Sequence, residues 1–239
     1  MAETRPAEPV AEAPRHSLLG YLDLRSHWPT LVIGLVIGCL GLGIGAYVTT
    51  EGARHTGELA LDVMISRHRD FVLSDIGLAF QVGFGPMIAP LVLLVTCAVV
   101  WVKDHLAALV TALLTIPGWF SVEVGKFLFH RARPPAGVVH ALVNEQAPDS
   151  FPSGHTAFVA ALVIALFVVA HGHRRTQGWV AAIGIPLVLL VAATRLEVGA
   201  HYLGDVVAAP MFALGTILVL VAIGGPVATF LRQKLPQGA

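Results

Sequence analysis

Long apolar stretches separated by short polar segments organise this chain of 239 residues. A helix that spans a bilayer needs about 20 apolar residues, and charged side chains are costly within it. Six stretches free of Asp, Glu, Lys and Arg approach or exceed that length: residues 28–50, 76–102, 105–122, 150–173, 176–194 and 206–231. The pattern predicts an all-α fold in which six transmembrane helices form a bundle.

The remaining segments define the expected domain organisation. Residues 1–27 are predicted to be a disordered cytoplasmic tail, because their Ala-, Pro- and Glu-rich start lacks the basic and apolar parts of a signal peptide. Residues 28–231 form the six-span domain, and 232–239 are a short C-terminal tail. Between the first two spans, residues 51–75 alternate apolar side chains with charges, which predicts an amphipathic helix at the membrane interface.

Glycine and proline inside the spans modify this picture only slightly. Four glycines of the first span have small-xxx-small spacing, which favours close helix packing over a phosphate loop; they are Gly34, Gly38, Gly41 and Gly45. Prolines are tolerated within a bundle that satisfies the freed carbonyls. We therefore expect kinks, not breaks, at positions such as Pro90, Pro117, Pro186 and Pro210.

The composition supports a membrane protein. Hydrophobic residues make up 56% of the chain and charged residues 13%, against roughly 25% charged residues in soluble domains. The formal net charge is zero, so no basic field for nucleic acid exists and no nucleic-acid partner is predicted. Cys39 and Cys97 lie in apolar runs, which argues against a disulfide framework or a cysteine metal site.

The orientation depends on how the basic residues are counted. Eight lie on the side of the termini and seven on the other side. Setting aside Lys126, Arg133 and Arg195 as site residues leaves eight against four, which places both termini in the cytoplasm. The expected location is the plasma membrane, with the polar site on its extracytoplasmic face.

Three polar clusters lie next to the apolar spans. Residues 126–134 follow the third span, 152–155 precede the fourth, and 194–205 connect the fifth to the sixth. Odd spans end, and even spans begin, on the side opposite the N-terminus, so all three clusters lie on one face. Ionisable groups gathered at a membrane boundary are candidates for a functional site.

The first set of site residues suits an anion. Lys126, Arg133 and Arg195 would place three cations in one pocket, and a ligand with several negative charges, such as phosphate, matches them. Ser153 and Gly154 precede the fourth helix, where free backbone N–H groups and the helix dipole also favour an anion. The arrangement is similar to an oxyanion hole.

The second set suits nucleophilic catalysis. His201 and Asp205 are four residues apart, so the carboxylate can accept one imidazole N–H and leave the other nitrogen free for attack. His155 comes from a separate segment and can protonate a leaving alkoxide. Two imidazoles and a carboxylate also suit zinc, but three neighbouring cations would repel a divalent ion. We therefore predict no metal and no cofactor.

These residues carry a family resemblance. The motifs resemble the three-part signature of the type 2 phosphatidic acid phosphatase superfamily, in its bacterial membrane branch; the superfamily also includes vanadium haloperoxidases. The motifs are Lys126-x6-Arg133-Pro134, Pro152-Ser153-Gly154-His155 and Arg195-x5-His201-x3-Asp205. Thr194 departs from the pattern, because many relatives have serine there, although its hydroxyl keeps a phosphate contact plausible.

The resemblance implies a mechanism and a set of roles. Hydrolysis would be metal-independent and pass through a phosphohistidine on His201, which Asp205 orients, with His155 acting first as acid and then as base. The phosphoryl oxygens would be held by Lys126, Arg133, Arg195, Ser153 and Gly154. Arg131 and His130 occupy variable positions of the first motif, so we expect them to face solvent or headgroups. Glu123 and Glu197 are either partners of the basic residues or exposed.

The expected function is therefore an integral membrane lipid phosphatase. Its substrate would be a phosphate or pyrophosphate monoester of a membrane lipid: polyprenyl pyrophosphate, phosphatidate or phosphatidylglycerophosphate. An outward-facing site favours the polyprenyl carrier. A lipid phosphotransferase that uses the same phosphohistidine is the alternative, and a non-enzymatic lipid-binding or transport protein is a weaker one. The expected partners are the lipid substrate and the bilayer, and the sequence predicts no protein partner.

Overall fold

A computed structural model of the protein describes residues 27–145 and 147–234, with side chains described up to residue 224. These residues are helical and contain no strand, only an isolated bridge between Ala132 and Asp149. The predicted all-α fold is confirmed in this part of the chain. Its helices are α1 (His27–His55), α2 (Glu58–Arg67), α3 (Phe71–Gly83), α4 (Ala89–Trp101), α5 (His105–Phe120), α6 (Val122–Phe129), α7 (Ala136–Val139), α8 (Gly154–Val169), α9 (Arg174–Glu197) and α10 (Leu203–Lys234).

The predicted tails lie largely outside the described residues. This applies to residues 1–26 of the predicted N-terminal tail and to residues 235–239 at the C-terminus. The last helix continues to Lys234, so the first three residues of the predicted C-terminal tail are helical.

Helices of membrane-spanning length correspond to four of the predicted spans. His27–His55, His105–Phe129, Arg174–Glu197 and Leu203–Gly224 are long and apolar enough to cross a bilayer. Three further apolar helices are shorter: α3 and α4 have 13 residues each and α8 has 16. At a rise of about 1.5 Å per residue, α8 measures about 24 Å. The structure therefore describes a multi-pass membrane protein.

The second predicted span, residues 76–102, is interrupted. Helix α3 ends at Gly83 and α4 begins at Ala89, and the segment between them contains Gly85 and Pro86. Glycine has a low helix propensity and proline lacks the N–H that a continuous helix requires. The expectation that proline produces kinks and not breaks is therefore wrong for this span. Later prolines do remain inside helices, as predicted: Pro117 and Pro186.

Helix α8 lies at the centre of the bundle. It packs against α5, α9 and α10, and its buried residues include four alanines: Ala157, Ala160, Ala161 and Ala165. Small side chains allow helix backbones to approach closely in a membrane bundle. The helix that carries His155 in its first turn is thus held from three sides.

Close packing also joins α1 to α10. A Cβ atom added to Gly34 would lie 2.9 Å from the Cβ of Leu218, and one added to Gly215 would lie 3.0 Å from the backbone nitrogen of Gly38. Both distances are shorter than van der Waals contact. The interpretation of the glycines of the first span as packing positions is confirmed for Gly34, Gly41 and Gly45, whereas a Cβ atom added to Gly38 would have no neighbour within 4 Å.

Helix α2 occupies the polar segment between the first two long helices, where a helix was predicted. Its buried residues are Glu58 and Asp62, whereas the side chain of Met64 is 53% exposed. The acidic face of α2 therefore faces the protein interior. Its location at the membrane interface stays a prediction.

Candidate active site

The three motifs converge on one cavity of about 650 Å³. Five of the predicted site residues line it: Lys126, Arg133, Gly154, His155 and His201. The other three, Ser153, Arg195 and Asp205, are completely buried and do not line the cavity. The convergence expected from counting spans is present in the structure.

Most of the cavity wall is apolar. Helices α4 and α5 and the segment before α4 contribute aliphatic and aromatic side chains, among them Leu93, Leu94, Ile116, Trp119 and Phe120. The charged lining residues come instead from α6, the loops on both sides of α7, the start of α8 and the segment before α10. The cavity therefore offers both charged and apolar groups to a single ligand.

Arg133 faces the cavity between two backbone carbonyls. Its Nε donates to the carbonyl oxygen of Ala147 at 2.7 Å, and its Nη1 donates to that of Ala200 at 3.0 Å. The same Nη1 lies 3.3 Å from Nε2 of His201. Burial lowers the pKa of Arg133, although the carboxylates of Glu145, Asp205 and Asp149 oppose this effect.

Arg195 lies in the last turn of α9 and is completely buried. Its Nη2 donates to the carbonyl oxygen of Gly77 at 2.5 Å, and its Nη1 donates to Oε1 of Gln81. Its Nε has no hydrogen-bond partner among the described residues. Helix α3 thus supplies neutral acceptors to this arginine, and neither Gly77 nor Gln81 was singled out from the sequence.

The cations of the cavity differ in their compensation. In the described ranges, the ion pairs near the site involve Lys126, Arg131 and His201, and neither Arg133 nor Arg195 pairs with a carboxylate. Lys126 pairs with Glu123 at 2.6 Å, so this glutamate is a partner of a basic site residue, although its side chain is also exposed. The two arginines therefore retain positive charge that no side chain neutralises at contact distance.

Glu145 also lines the cavity and was not expected there. Burial alone would raise the pKa of its carboxyl, but the charge of Arg133, with smaller effects of His201 and His155, lowers that pKa overall. It therefore faces the cationic groups as a carboxylate. A single acidic residue in the loop before α8 gave no motif by which to find it.

Helix α8 begins beside the cavity. Gly154 and His155 occupy its first turn, where backbone N–H groups have no helical acceptor four residues earlier. Nε2 of His155 lies 3.2 Å from the carbonyl oxygen of Gln81, so α3 also positions this imidazole.

Two hydroxyl residues of the motifs are turned inward. The backbone N–H of Ser153 donates to the carbonyl oxygen of Asp205 at 3.1 Å, so the expectation that it is free to bind an anion is wrong. The hydroxyl of Thr194 donates to the carbonyl oxygen of Val191 at 2.8 Å and is buried. Because that bond lies within α9, the hydroxyl does not face the cavity. Of Ser153 and Gly154, only Gly154 lines the cavity.

His201 and Asp205 approach each other at the start of α10. Nδ1 of His201 lies 3.4 Å from Oδ2 of Asp205, a separation within ion-pairing range but without hydrogen-bond geometry. The helix begins at Leu203, so His201 precedes it, and the two side chains meet across the first turn. Burial lowers the pKa of His201, against the opposing effect of Asp205. A buried imidazole of this kind stays neutral more readily than an exposed one.

Arg131 contradicts its predicted exposure. It is 5% exposed, donates from Nη1 to Oδ1 of Asp205 at 2.5 Å, and pairs through Nη2 with Glu58. Its guanidinium carbon lies 4.4 Å from the ring centroid of Tyr202. Two carboxylates compensate the buried charge, which is why the residue does not face solvent. His130, by contrast, is exposed as predicted.

Helix α2 contributes two acidic residues that sequence reasoning did not place at the site. Oε1 of Glu58 accepts a hydrogen bond from the backbone N–H of Gly204 at 2.7 Å. Asp62 is 1% exposed, and neither of its carboxylate oxygens has a hydrogen-bond partner in the described ranges. Burial, with the nearby charges of Asp205 and Glu58, raises the pKa of Asp62 to about 8. The spacing of four residues, which puts both acids on one helix face, was the available signal.

Glu197 is buried at the end of α9. Its Oε1 accepts hydrogen bonds from the backbone N–H of Asp70 at 2.9 Å and from the hydroxyl of Ser74 at 3.2 Å. It therefore joins α9 to the start of α3.

Comparison with protein families gives one matching description. Residues 101–226 match the PAP2 superfamily, a range that covers more than half of the chain and contains all three motifs.

Two individual relatives were also found, both from Bacillus subtilis. The undecaprenyl-diphosphatase BcrC is 36% identical over 92 residues, which are 37% of this chain and 39% of that protein. The matched segment thus spans well under half of this relative. The crystal structure of the first transmembrane PAP2 type phosphatidylglycerolphosphate phosphatase superposes with a TM-score of 0.64 at 20% identity, covering 86% of this chain and 98% of that one. At this identity the likeness shows a shared fold.

Proposed function

Because the chain belongs to the PAP2 superfamily, we propose that it is an integral membrane phosphatase that hydrolyses a phosphate or pyrophosphate monoester of a lipid. The observation that carries the proposal is Arg133, whose Nη1 lies 3.3 Å from Nε2 of His201 and which, among the described residues, forms no ion pair with a carboxylate. Removing such a charge from water is costly, and a phosphoryl group that binds there offsets that cost. The lipid phosphatase relatives support the same class of reaction.

The shape of the cavity supports a lipid over a soluble phosphate ester. Its charged groups share the space with a wall of apolar side chains from α4 and α5, so a headgroup and the beginning of its own tail fit one continuous space. Burial of the tail contributes roughly 0.8 kcal/mol per methylene. A small, fully polar ester would leave the apolar wall unused.

The proposed reaction proceeds in two displacements. Nε2 of neutral His201 attacks phosphorus, the bond to the leaving oxygen breaks, and His155 donates a proton to that oxygen. His155, now neutral, removes a proton from water, the resulting hydroxide attacks phosphorus, and the phosphohistidine bond breaks to release phosphate and regenerate His201. Asp205 faces Nδ1 of His201 at 3.4 Å, and in both steps the two groups draw together so that the carboxylate accepts a hydrogen bond from this N–H. Each step is balanced without a metal ion.

The cations act on the charge of the transferring group. Lys126 and Arg133 line the cavity, Arg195 lies buried next to it, and the N–H groups at the start of α8 are directed at the same space. Preorganised donors of this kind stabilise a phosphoryl transition state more than its ground state. Ser153 is retained as a positioning neighbour of Asp205, through its backbone hydrogen bond.

Among the admissible lipids we favour a polyprenyl pyrophosphate. An extracytoplasmic site suits a carrier released on that face, and the name of the Bacillus relative, undecaprenyl-diphosphatase, points to the same substrate class. Phosphatidylglycerophosphate is the second candidate, supported by the name of the structural relative, and phosphatidate is the third. A phosphotransferase differs only in that a lipid or sugar hydroxyl replaces water in the second displacement.

The proposed topology keeps six spans. Helices α3 and α4 together form the second span with a break at its centre, and α8 forms the fourth, so that residues 28–231 are one membrane domain. Both termini then lie in the cytoplasm and the cavity opens on the extracytoplasmic side. The broken span is tolerated because Phe84 and Pro86, at its interruption, line the cavity, where irregular backbone need not face lipid.

The test is phosphate release from a panel of purified lipids by the wild type and by His201→Ala. We expect release from at least one lipid by the wild type, none above background by His201→Ala, and full release by His171→Ala, a control at an exposed histidine. Equal release by wild type and His201→Ala removes the nucleophile assignment. Absence of release from every lipid by the wild type removes the proposed function.

Two further arms separate the alternatives. Acceptor lipids added to the same assay shift product from free phosphate to a phosphorylated acceptor if the protein is a transferase. Excess chelator is expected to leave the rate unchanged, because no step uses a metal. A complete loss that zinc restores contradicts that mechanism.

A further inference from the structure

A second charged cluster lies beside His201 but does not line the cavity. It consists of Glu58 and Asp62 on α2, Arg131 after α6, and Asp205 on α10. All four side chains are at most 6% exposed. The reaction proposed above uses only Asp205, so the other three are unexplained by it.

The two carboxylate oxygens of Asp205 have different partners, because Arg131 binds only one of them. Nη1 of Arg131 holds Oδ1 at 2.5 Å. That leaves Oδ2 to accept the backbone N–H of Tyr202 at 2.9 Å and to face Nδ1 of His201 at 3.4 Å. Because the guanidinium is planar and its Nη2 is held by Glu58, the direction from which Nη1 donates to Asp205 is fixed.

Glu58 holds Arg131 from the opposite side. Its Oε2 pairs with Nη2 of Arg131 and accepts the hydroxyl of Thr56 at 2.8 Å. Its Oε1 accepts the backbone N–H of Gly204, in the first turn of α10, at 2.7 Å. A Cβ atom at Gly204 would lie 2.9 Å from that oxygen, so the close approach depends on the glycine. One carboxylate therefore joins Arg131 to the helix that carries Asp205.

We propose that Arg131 and Glu58 are positioning residues for the reaction: Arg131 orients Asp205 toward His201, and Glu58 fixes both Arg131 and the start of α10. The inference rests on the proposed function and adds to it two residues that contact neither the cavity nor the phosphate. It also gives α2 a task, since this helix reaches the reacting histidine through Glu58.

The charges around His201 make the proposal measurable. His201 faces Asp205, Arg133, Glu145 and His155, and Asp205 in turn faces Arg131. Behind Arg131 lie Glu58, Asp62 and Tyr202. A looser hold of Arg131 on Asp205 leaves more negative charge at His201, so the imidazole protonates at higher pH. Loss of the Glu58 charge has the opposite effect.

The first experiment compares Arg131→Lys and Glu58→Gln on the lipid that the wild type hydrolyses. For Arg131→Lys we expect kcat to fall by about 10- to 100-fold with KM nearly unchanged, since misplacement by about 1 Å can cost about 100-fold. The acid limb of kcat/KM should move to higher pH in Arg131→Lys and to lower pH in Glu58→Gln. Arg67→Lys and Glu51→Gln, at exposed positions, are the matched controls and should match the wild type.

The second experiment places Arg131→Lys in an Asp205→Asn background. If Arg131 acts through Asp205, the lysine substitution has little further effect there, because coupled residues are not additive. Equal losses in both backgrounds, or acid limbs that do not move in opposite directions, overturn the proposal. Should Arg131→Lys fail to fold, Glu58→Gln decides, because it keeps the shape and the acceptor for Gly204. An inactive wild type contradicts the proposed function instead.

Discussion

The arginines on the two sides of His201 differ in what they contact. On the cavity side, Arg133 lines the cavity, and the buried Arg195 shares Gln81 with the cavity residue His155. Both arginines donate to backbone carbonyls, and Arg195 donates also to the amide oxygen of Gln81. On the opposite side, called the sealed side here because Glu58, Asp62, Arg131 and Asp205 do not line the cavity, Arg131 lies between the carboxylates of Glu58 and Asp205. The three side chains have the same chemistry and lie close in sequence or space. The partners of each arginine therefore decide its role. Arg133 and Arg195 keep a charge that can bind a ligand, whereas the charge of Arg131 stabilises the structure of the site.

The difference has an energetic basis. A buried charge must find compensation, and its loss of hydration is worth several kcal/mol. Neutral acceptors bind donors of Arg133 and Arg195 but leave the charge of both side chains in place. Carboxylates neutralise Arg131 and leave nothing for a ligand. An anion is therefore attracted to the cavity side alone.

The largest effect is expected from removing one of the positive charges on the cavity side, which tests whether these charges act on the phosphoryl group. Arg133→Gln keeps a hydrogen-bonding side chain but deletes a cation that lies 3.3 Å from Nε2 of His201. We expect kcat to fall by about 100- to 1,000-fold, the effect of losing one preorganised donor to a transition-state charge. Steady-state kinetics check it, with the exposed Arg174→Gln as control. A loss below about threefold means that the unpaired charge has no role in the reaction.

The pH dependence of kcat/KM tests the protonation state of His201, which lies between the two groups of arginines. Attack requires the neutral imidazole, and burial lowers the pKa of His201 below the ordinary value of 6.5. On its acid side, the wild-type kcat/KM should therefore decline only below pH 6.5, approaching about tenfold per pH unit. The second ionisation of the lipid phosphate, near pH 6, must be measured separately and divided out. A midpoint above pH 6.5 contradicts the neutral, buried nucleophile.

On the sealed side, a smaller effect is expected from Asp62→Asn. Because burial raises the pKa of Asp62 from 3.8 to about 8, its ionisation favours the unfolded chain increasingly as pH rises from about 4 to about 8. Asparagine removes this penalty and resembles the protonated acid. We expect the Tm at pH 8 to rise by about 2–4 °C, the shift that about 1 kcal/mol produces in a chain of this size. The difference should vanish near pH 4, and a constant difference at all pH values contradicts the raised pKa.

The sequence alone predicts those features that depend on short, continuous segments of the chain. Three short motifs predict Lys126, Arg133, His155 and His201 as site residues, and the parity of the spans predicts that they lie on one face. The all-helical fold followed from apolar stretches of membrane length. These inferences needed no knowledge of which helices touch.

The features that failed depend on contacts between distant segments. An amphipathic pattern in α2 indicates that one face is polar but not that this face is inside, so Glu58 and Asp62 were assigned to the interface. The variable motif position of Arg131 predicts exposure, and its two carboxylate partners are more than 70 residues away along the chain, where no local pattern indicates them. Gln81 is neutral and gave no charge signal, although its carbonyl and amide oxygens position His155 and Arg195. Tertiary packing decides all of these.

The central claim is that His201 attacks a phosphoryl group held by the cavity-side cations. It is tested most directly by mixing the purified protein with lipid labelled in the phosphate to be transferred, quenching in alkali within one turnover, and mapping the labelled peptide. The account predicts an acid-labile, alkali-stable label on His201, absent from His201→Ala and present in the control His171→Ala. Label on a different residue, or turnover of the labelled lipid by His201→Ala at the wild-type rate, contradicts it.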